Sequence, residues 1–317
     1  MNKISARRWY LIFLLATVLF TRCNKSDSSS YNPDTSTLTF LLASSSNATI
    51  FNSAVIKANL DTVFGGASIF TLFVPTDLAC TQAGYTQAVI NGFTKEQAKE
   101  WVLYQTYAGG VLSSESFIGK TEEKLIMANG DSVFVTGDSN RTYVNGFELI
   151  NAEAVASNGV MLALQNVLIA PTQNLYQMVS ADTSLSFLTA AIQLSTPFPD
   201  TLKITLATGG PFSFFAPDND AFRKLGYNSP ADLDTVSSAS LRSIVQTSMI
   251  PQRLFSYDIS DSSTFKTVND STLEFNLTGI STSVQIQGDS ATQANVVSAN
   301  VMAINGVLFK IDGVLGH

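Results

Sequence analysis

Imidazole is all but missing from this chain of 317 residues, whose single histidine is His317, the last residue. A hydrolase triad or a zinc site needs imidazole inside a fold, so histidine-based catalysis and metal binding have nothing to be built from. Cysteine is nearly as scarce. Cys23 and Cys80 are the only two, too few for a disulfide framework or a thiolate cluster. Asp, Glu, Lys and Arg together make up 14% of the residues and the net charge is −7. That balance has the wrong sign for binding a phosphate backbone, so nucleic acid is excluded as a partner. No Walker, dinucleotide or EF-hand spacing occurs, and neither a cofactor, a metal nor a catalytic residue is expected. Beyond the first thirty residues no apolar run approaches a membrane span.

At the start of the chain Lys3, Arg7 and Arg8 precede the apolar run Trp9 to Phe20, a positive segment followed by a hydrophobic one of secretory length. The run gives way at Thr21-Arg22-Cys23 to a polar, serine-rich stretch. The pattern resembles a bacterial lipoprotein signal, with Arg22 departing from the small residue such signals carry before the cysteine. It implies that residues 1–22 are a signal peptide, that Cys23 bears the lipid, and that residues 23–33 form a flexible tether. Asn24 stands where an inner-membrane retention signal has aspartate, which points to an outer-membrane lipoprotein of a Gram-negative bacterium, on its surface or periplasmic face. Eleven extended residues reach at most about 40 Å, so the portion after the tether stays near its membrane and binding is expected in the more distal half.

The remainder is written twice. FTLFVPTDLACTQAGY from Phe70 is echoed by PFSFFAPDNDAFRKLGY from Pro211, with Phe73, Pro75, Ala79, Gly84 and Tyr85 matching Phe215, Pro217, Ala221, Gly226 and Tyr227 at one offset of 142 residues. A second echo joins SNGVMLALQNVL from Ser157 to INGVLFKIDGVL from Ile304. Two echoes in one order at domain spacing mean tandem domains, each with its own core. Each copy opens with apolar-periodic helical segments, from Leu38 and from Asn174, and Thr94 with Gln97 forms a capping box ahead of a further helix. The back half of each copy alternates, and Asn129-Gly130, Asn145-Gly146 and Asn158-Gly159 mark hairpin turns.

These matched motifs resemble the fasciclin family, with its aromatic strand ending in a Pro-x-[Asn/Asp]-x-Ala turn and its closing Asn-Gly-Val strand. The resemblance implies an α/β fold of the α+β type, a twisted β-wedge with packed helices, in two domains at 34–170 and 174–317. It implies adhesion or binding without catalysis, to a protein or polysaccharide at the cell surface or matrix, with the membrane engaged through the lipid anchor. An accessory glycan-binding lipoprotein for polysaccharide capture and a structural spacer are the alternatives.

Candidate binding residues are Thr76 and Asp77 after the first signature proline and Asp218, Asn219 and Asp220 after the second. Asp, Asn and Thr at such places also cap backbone amides. The family's Tyr-His pair, tied to integrin binding in animal members, is matched by Tyr104-Gln105 and by Thr247-Ser248. Its histidine is absent from both copies, so integrin recognition does not carry over. Tyr104 remains a candidate, and Cys80, in the place of Phe222, reads as a buried inert thiol.

Overall fold

The computed structural model describes residues 36–195, 201–279 and 281–317. The segments expected as signal peptide, 1–22, and tether, 23–33, with Cys23, lie outside the described residues.

The first copy runs α1 (Leu38–Ser44), α2 (Thr49–Lys57), α3 (Asp61–Phe64), β1 (Phe70–Pro75), α4 (Asp77–Gln82), α5 (Gln87–Gly92), α6 (Lys95–Tyr104) and β2 (Thr106–Tyr107). It continues through β3 (Glu123–Ile126), β4 (Ser132–Gly137), β5 (Thr142–Val144), β6 (Phe147–Ala156) and β7 (Gly159–Leu164). The second repeats it with α7 (Leu175–Ala181), α8 (Ser186–Leu194), α9 (Thr201–Thr208), β8 (Phe212–Pro217), α10 (Asn219–Lys224), α11 (Ser238–Thr247) and β9 (Met249–Ile250). Its wedge is β10 (Thr264–Lys266), β11 (Thr272–Thr278), β12 (Ser281–Ile286), β13 (Asp289–Ala303) and β14 (Gly306–Ile311).

Sheet order is β2-β1-β7-β6-β5-β4-β3 in one copy and β9-β8-β14-β13-β12-β11-β10 in the other. The two topologies are identical. In each, the signature strand pairs parallel with the closing strand, β1 with β7 and β8 with β14, and every other pairing is antiparallel, as hairpins except where helices separate β1 from β2 and β8 from β9. The predicted Asn-Gly turns sit between β3 and β4, β5 and β6, and β6 and β7.

The signature strands are apolar except for Thr71 and Ser213, whose hydroxyls donate to the carbonyls of Gly110 and Gln252, because both of their faces are covered. Alternate side chains point to opposite sides of a sheet. Leu72 and Val74 therefore join α1, α2 and α6 in one core cluster, while Phe73 joins Tyr104 and the wedge strands in another. Phe214 and Ala216 likewise face α7, α8 and α11, and Phe215 faces the wedge. Within α2, Ile50, Phe51, Ala54 and Val55 form the buried stripe at helical spacing. Side chains start the helices: Thr37 accepts from Phe40 N, and the capping boxes Thr94/Gln97 and Asn174/Gln177 are both formed.

The closing Asn-Gly pair ties the ends of each copy together. Asn158 Oδ1 accepts from Leu38 N, and its amide donates to the carbonyls of Phe64 and Gly66. Asn305 repeats this with Leu175 N and the carbonyls of Leu206 and Gly209. The glycine that follows lies so close to the signature strand that a Cβ on Gly159 would stand 2.0 Å from Phe70 O, and one on Gly306 2.2 Å from Phe212 O. The second echo in the sequence is this lock.

Candidate functional site

The two signature turns use their polar residues in the same way. Thr76 is the N-cap of α4 and accepts from Ala79 N at 3.1 Å, and Asp218 is the N-cap of α10 and accepts from Ala221 N at 2.8 Å. The next residue reaches across to the preceding helix. Asp77 accepts from Ile50 N at 2.9 Å and from the Thr49 hydroxyl at 2.6 Å, capping α2, whose own N-cap Ala48 offers no side-chain acceptor. Asn219 accepts from Phe187 N and the Ser186 hydroxyl, each at 3.2 Å, and donates to Thr183 O. Asp220 is exposed and pairs with Arg223 at 2.6 Å. Four of these five predicted residues thus hold helix ends, and the two turns lie in different copies.

Tyr104 is buried, at 1% exposure. Its hydroxyl donates to Ser132 O at 3.2 Å, and burial pushes its pKa up to about 12. Gln105, standing where the family has histidine, is fully buried, and its amide brackets the Leu168 backbone, donating to the carbonyl at 2.7 Å and accepting from the N–H at 3.2 Å. This pair fastens α6 to the segment after β7. Cys80 is buried, and burial followed by the nearby Asp77 charge raises its thiol pKa to about 12.

What the two copies do not share is a cleft of about 290 Å³ beside Thr76. Its floor is Val74, Ile150, Ala154, Met161 and Ala163, and Ser45, Asn47 and Thr76 form a polar edge. In the second copy the corresponding positions are filled. Ala163 lies opposite Val74 as Lys310 lies opposite Ala216, and the loop capped by Asp77 corresponds to the one capped by Asn219, which sets Ser45 and Asn47 against Asp182 and Ser184. There the Lys310 ammonium pairs with Asp182 and donates to Ser184 Oγ at 3.0 Å. An ion pair occupies in one copy the space that small side chains leave open in the other. The open cleft is therefore in the first copy and not in the distal second copy, where binding is expected from the sequence.

A larger cavity, about 480 Å³, lies where the copies meet. Lys120, Glu122, Thr136 and Asp138 of the first copy and Gln252, Arg253, Tyr257 and Asp258 of the second contribute to its walls. Stacking of Tyr257 on Tyr143, with ring centroids 3.7 Å apart, joins the two sides. The Tyr257 hydroxyl donates to Asp138 Oδ2 at 2.6 Å, which raises the phenol to about 12 and lowers the carboxyl. Arg253 lays its guanidinium over Phe134 with Cζ 3.9 Å from the ring centroid. Asn300 donates to Gly146 O at 3.4 Å, and a Cβ on Gly146 would stand 2.7 Å from that amide. Burial lowers the Arg253 pKa and raises those of Asp258 and Glu122, the last further through Asp258.

Comparison with known proteins bears on both copies. A family model described as the Fasciclin domain matches residues 46–170 and again 184–317. Transforming growth factor-beta-induced protein ig-h3 of Sus scrofa is 26% identical over 178 residues, covering 54% of this chain and 23% of that protein. The match thus spans less than a quarter of that relative's length. Among solved structures, a FAS1 domain pair from the insect cell adhesion molecule fasciclin I is similar over 83% of this chain and 95% of its own, with 16% identity and a TM-score of 0.41.

Proposed function

The chain belongs to the fasciclin-domain family, a family of adhesion-type modules, and from that premise we propose that it is a non-catalytic binding protein. It is held outside the cytoplasm by lipid on Cys23, at the outer membrane of a Gram-negative bacterium, and it takes a protein partner at the cell surface or matrix. The observation that carries the partner class is the open cleft of the first copy. A floor of Val74, Ile150 and Met161 edged by Ser45, Asn47 and Thr76 has the apolar centre and polar rim of a pocket for one aliphatic or aromatic anchor side chain. Leu78, 67% exposed on α4 just past Thr76, adds apolar surface near that rim.

Two measurements test this. Filling the cleft with Ala163→Lys together with Ser45→Asp copies the ion pair of the second domain, and it should abolish retention on immobilised matrix proteins without lowering stability. Retention unchanged by that double substitution refutes the cleft as the docking site. Separately, Cys23→Ala should move the protein from the detergent-extracted membrane fraction to the soluble one, and unchanged fractionation refutes the anchor.

A further inference from the structure

The cavity between the copies is walled by charges of both signs, and several of its polar atoms have no partner. Arg253 is 7% exposed, and its Nε and Nη1 are buried without an acceptor. Across the junction Glu122 Oε1 is buried without a donor. Glu122 and Arg253 attract each other, yet no ion pair joins them. A buried polar atom left unsatisfied costs about 1–3 kcal/mol, more when charged, so donors and an acceptor of this kind are complementary to a guest that supplies both. The Glu122 backbone is also held at φ 49°, a left-handed conformation that a residue with a long side chain adopts at a cost. Such strain concentrates at ligand clamps.

We propose that this junction cavity is a saccharide site, which takes a neutral, hydroxyl-rich segment of a glycan. Each hydroxyl of a sugar both donates and accepts, and can therefore satisfy a carboxylate and a guanidinium side by side. An anion would meet Asp138, Asp258 and Glu122, and a cation would meet Arg253 and Lys120. Only a guest without net charge suits both walls. The Gln252 amide and the Thr136 hydroxyl extend the same donor and acceptor pattern, and Tyr257 supplies aromatic surface. Packing on Phe134 fixes the guanidinium plane before the guest arrives, which lowers the ordering cost of binding. At about 480 Å³ the cavity lies within the range of small-ligand pockets. This site is separate from the first-copy cleft and does not depend on what docks there.

The test is calorimetric titration of the whole chain with neutral β-glucan, α-glucan, xylan and mannan oligosaccharides, and with an oligogalacturonate as the acidic comparison. At least one neutral fragment should bind. Glu122→Gln and Arg253→Lys should each weaken it tenfold or more, and Gln252→Ala, at an exposed position, severalfold. Ala163→Lys should leave it unchanged, so that loss of protein docking and loss of sugar binding are read apart. If Arg253→Lys disturbs the fold, Glu122→Gln and Gln252→Ala decide. Failure of every neutral fragment would mean that no such guest reaches these atoms, and the proposal falls. It falls equally if the acidic fragment binds more tightly, or if binding survives Glu122→Gln and Gln252→Ala.

Discussion

Asp77 offers a direct way to separate a helix cap from a binding residue, because the second copy already contains the control substitution. Asp77→Ala removes the acceptor for Ile50 N and for the Thr49 hydroxyl. Ile50 is buried, at 7% exposure, so its N–H loses its partner where water reaches poorly. A cap is worth about 1 kcal/mol and a hydrogen bond to a charged group about 1.5–3 kcal/mol, which places the loss near 2 kcal/mol. Asp77→Asn keeps the oxygen that Asn219 uses towards Phe187 N, and should cost below about 1 kcal/mol.

The readout is built into the same copy. Trp101 packs against Phe51 of α2 and against Tyr85, with ring centroids 5.7 and 5.2 Å apart. The other tryptophan, Trp9, precedes Cys23, so in a chain lacking residues 1–22 indole fluorescence follows the first domain alone. With a urea slope of about 2 kcal/mol/M, Asp77→Ala should lower that midpoint by about 1 M and Asp77→Asn by less than half as much. Equal losses for the two variants would refute the capping argument. So would an Asp77→Ala chain of unchanged stability that no longer bound its partner.

Phe215→Ala removes a ring stacked on Phe309 at 4.6 Å and tilted against Phe275 at 5.1 Å, and should destabilise the second copy by about 3–5 kcal/mol, with the first copy's fluorescence transition unmoved. The junction should also titrate. Burial raises Asp258 and Glu122 above ordinary carboxyl values, so the folded chain holds these protons more tightly than the unfolded one. Their contribution is complete below the unfolded value near about 4 and is lost as pH rises through the raised folded values. Asp138, Asp182, Asp232 and Asp312 are shifted down and act in the opposite sense, so the measurement is a difference. Relative to an Asp258→Asn, Glu122→Gln double variant, the wild-type urea midpoint should fall from about pH 4 upward. A relative rise would refute the assignment.

The repeat, the order of elements and the hairpin turns are legible in the sequence because they rest on local chemistry. Caps, Asn-Gly turns and two-residue alternation are set by neighbours a few positions away. The polar residues of the signature turns read as caps before they read as contacts, and the helix that Asp77 and Asn219 cross to reach shows which end each one caps. The cleft has a visible trace in the aligned closing strands, where Ala163 stands against Lys310, but its meaning depends on Ser45 and Asp182 more than a hundred residues earlier. The junction leaves no such trace. Phe134, Glu122, Arg253 and Tyr257 carry no motif, and only the meeting of two wedges brings a guanidinium onto a ring 119 positions before it.

The parallel pairing of signature and closing strands has a consequence for how the chain is made. In each copy the closing strand lies inside the sheet, between the signature strand and the long hairpin strand before it, and it is the last part of that copy to be synthesised. Until β7 emerges, β1 has only the short strand β2 beside it and lacks its parallel partner, and Asn158 cannot hold the first helix, although every helix of the copy is already available. Non-local pairing of this kind is slow to form. A chain made from its amino end would therefore stay open through most of each copy and close it in one late step, which leaves the copy exposed for as long as the closing strand is delayed.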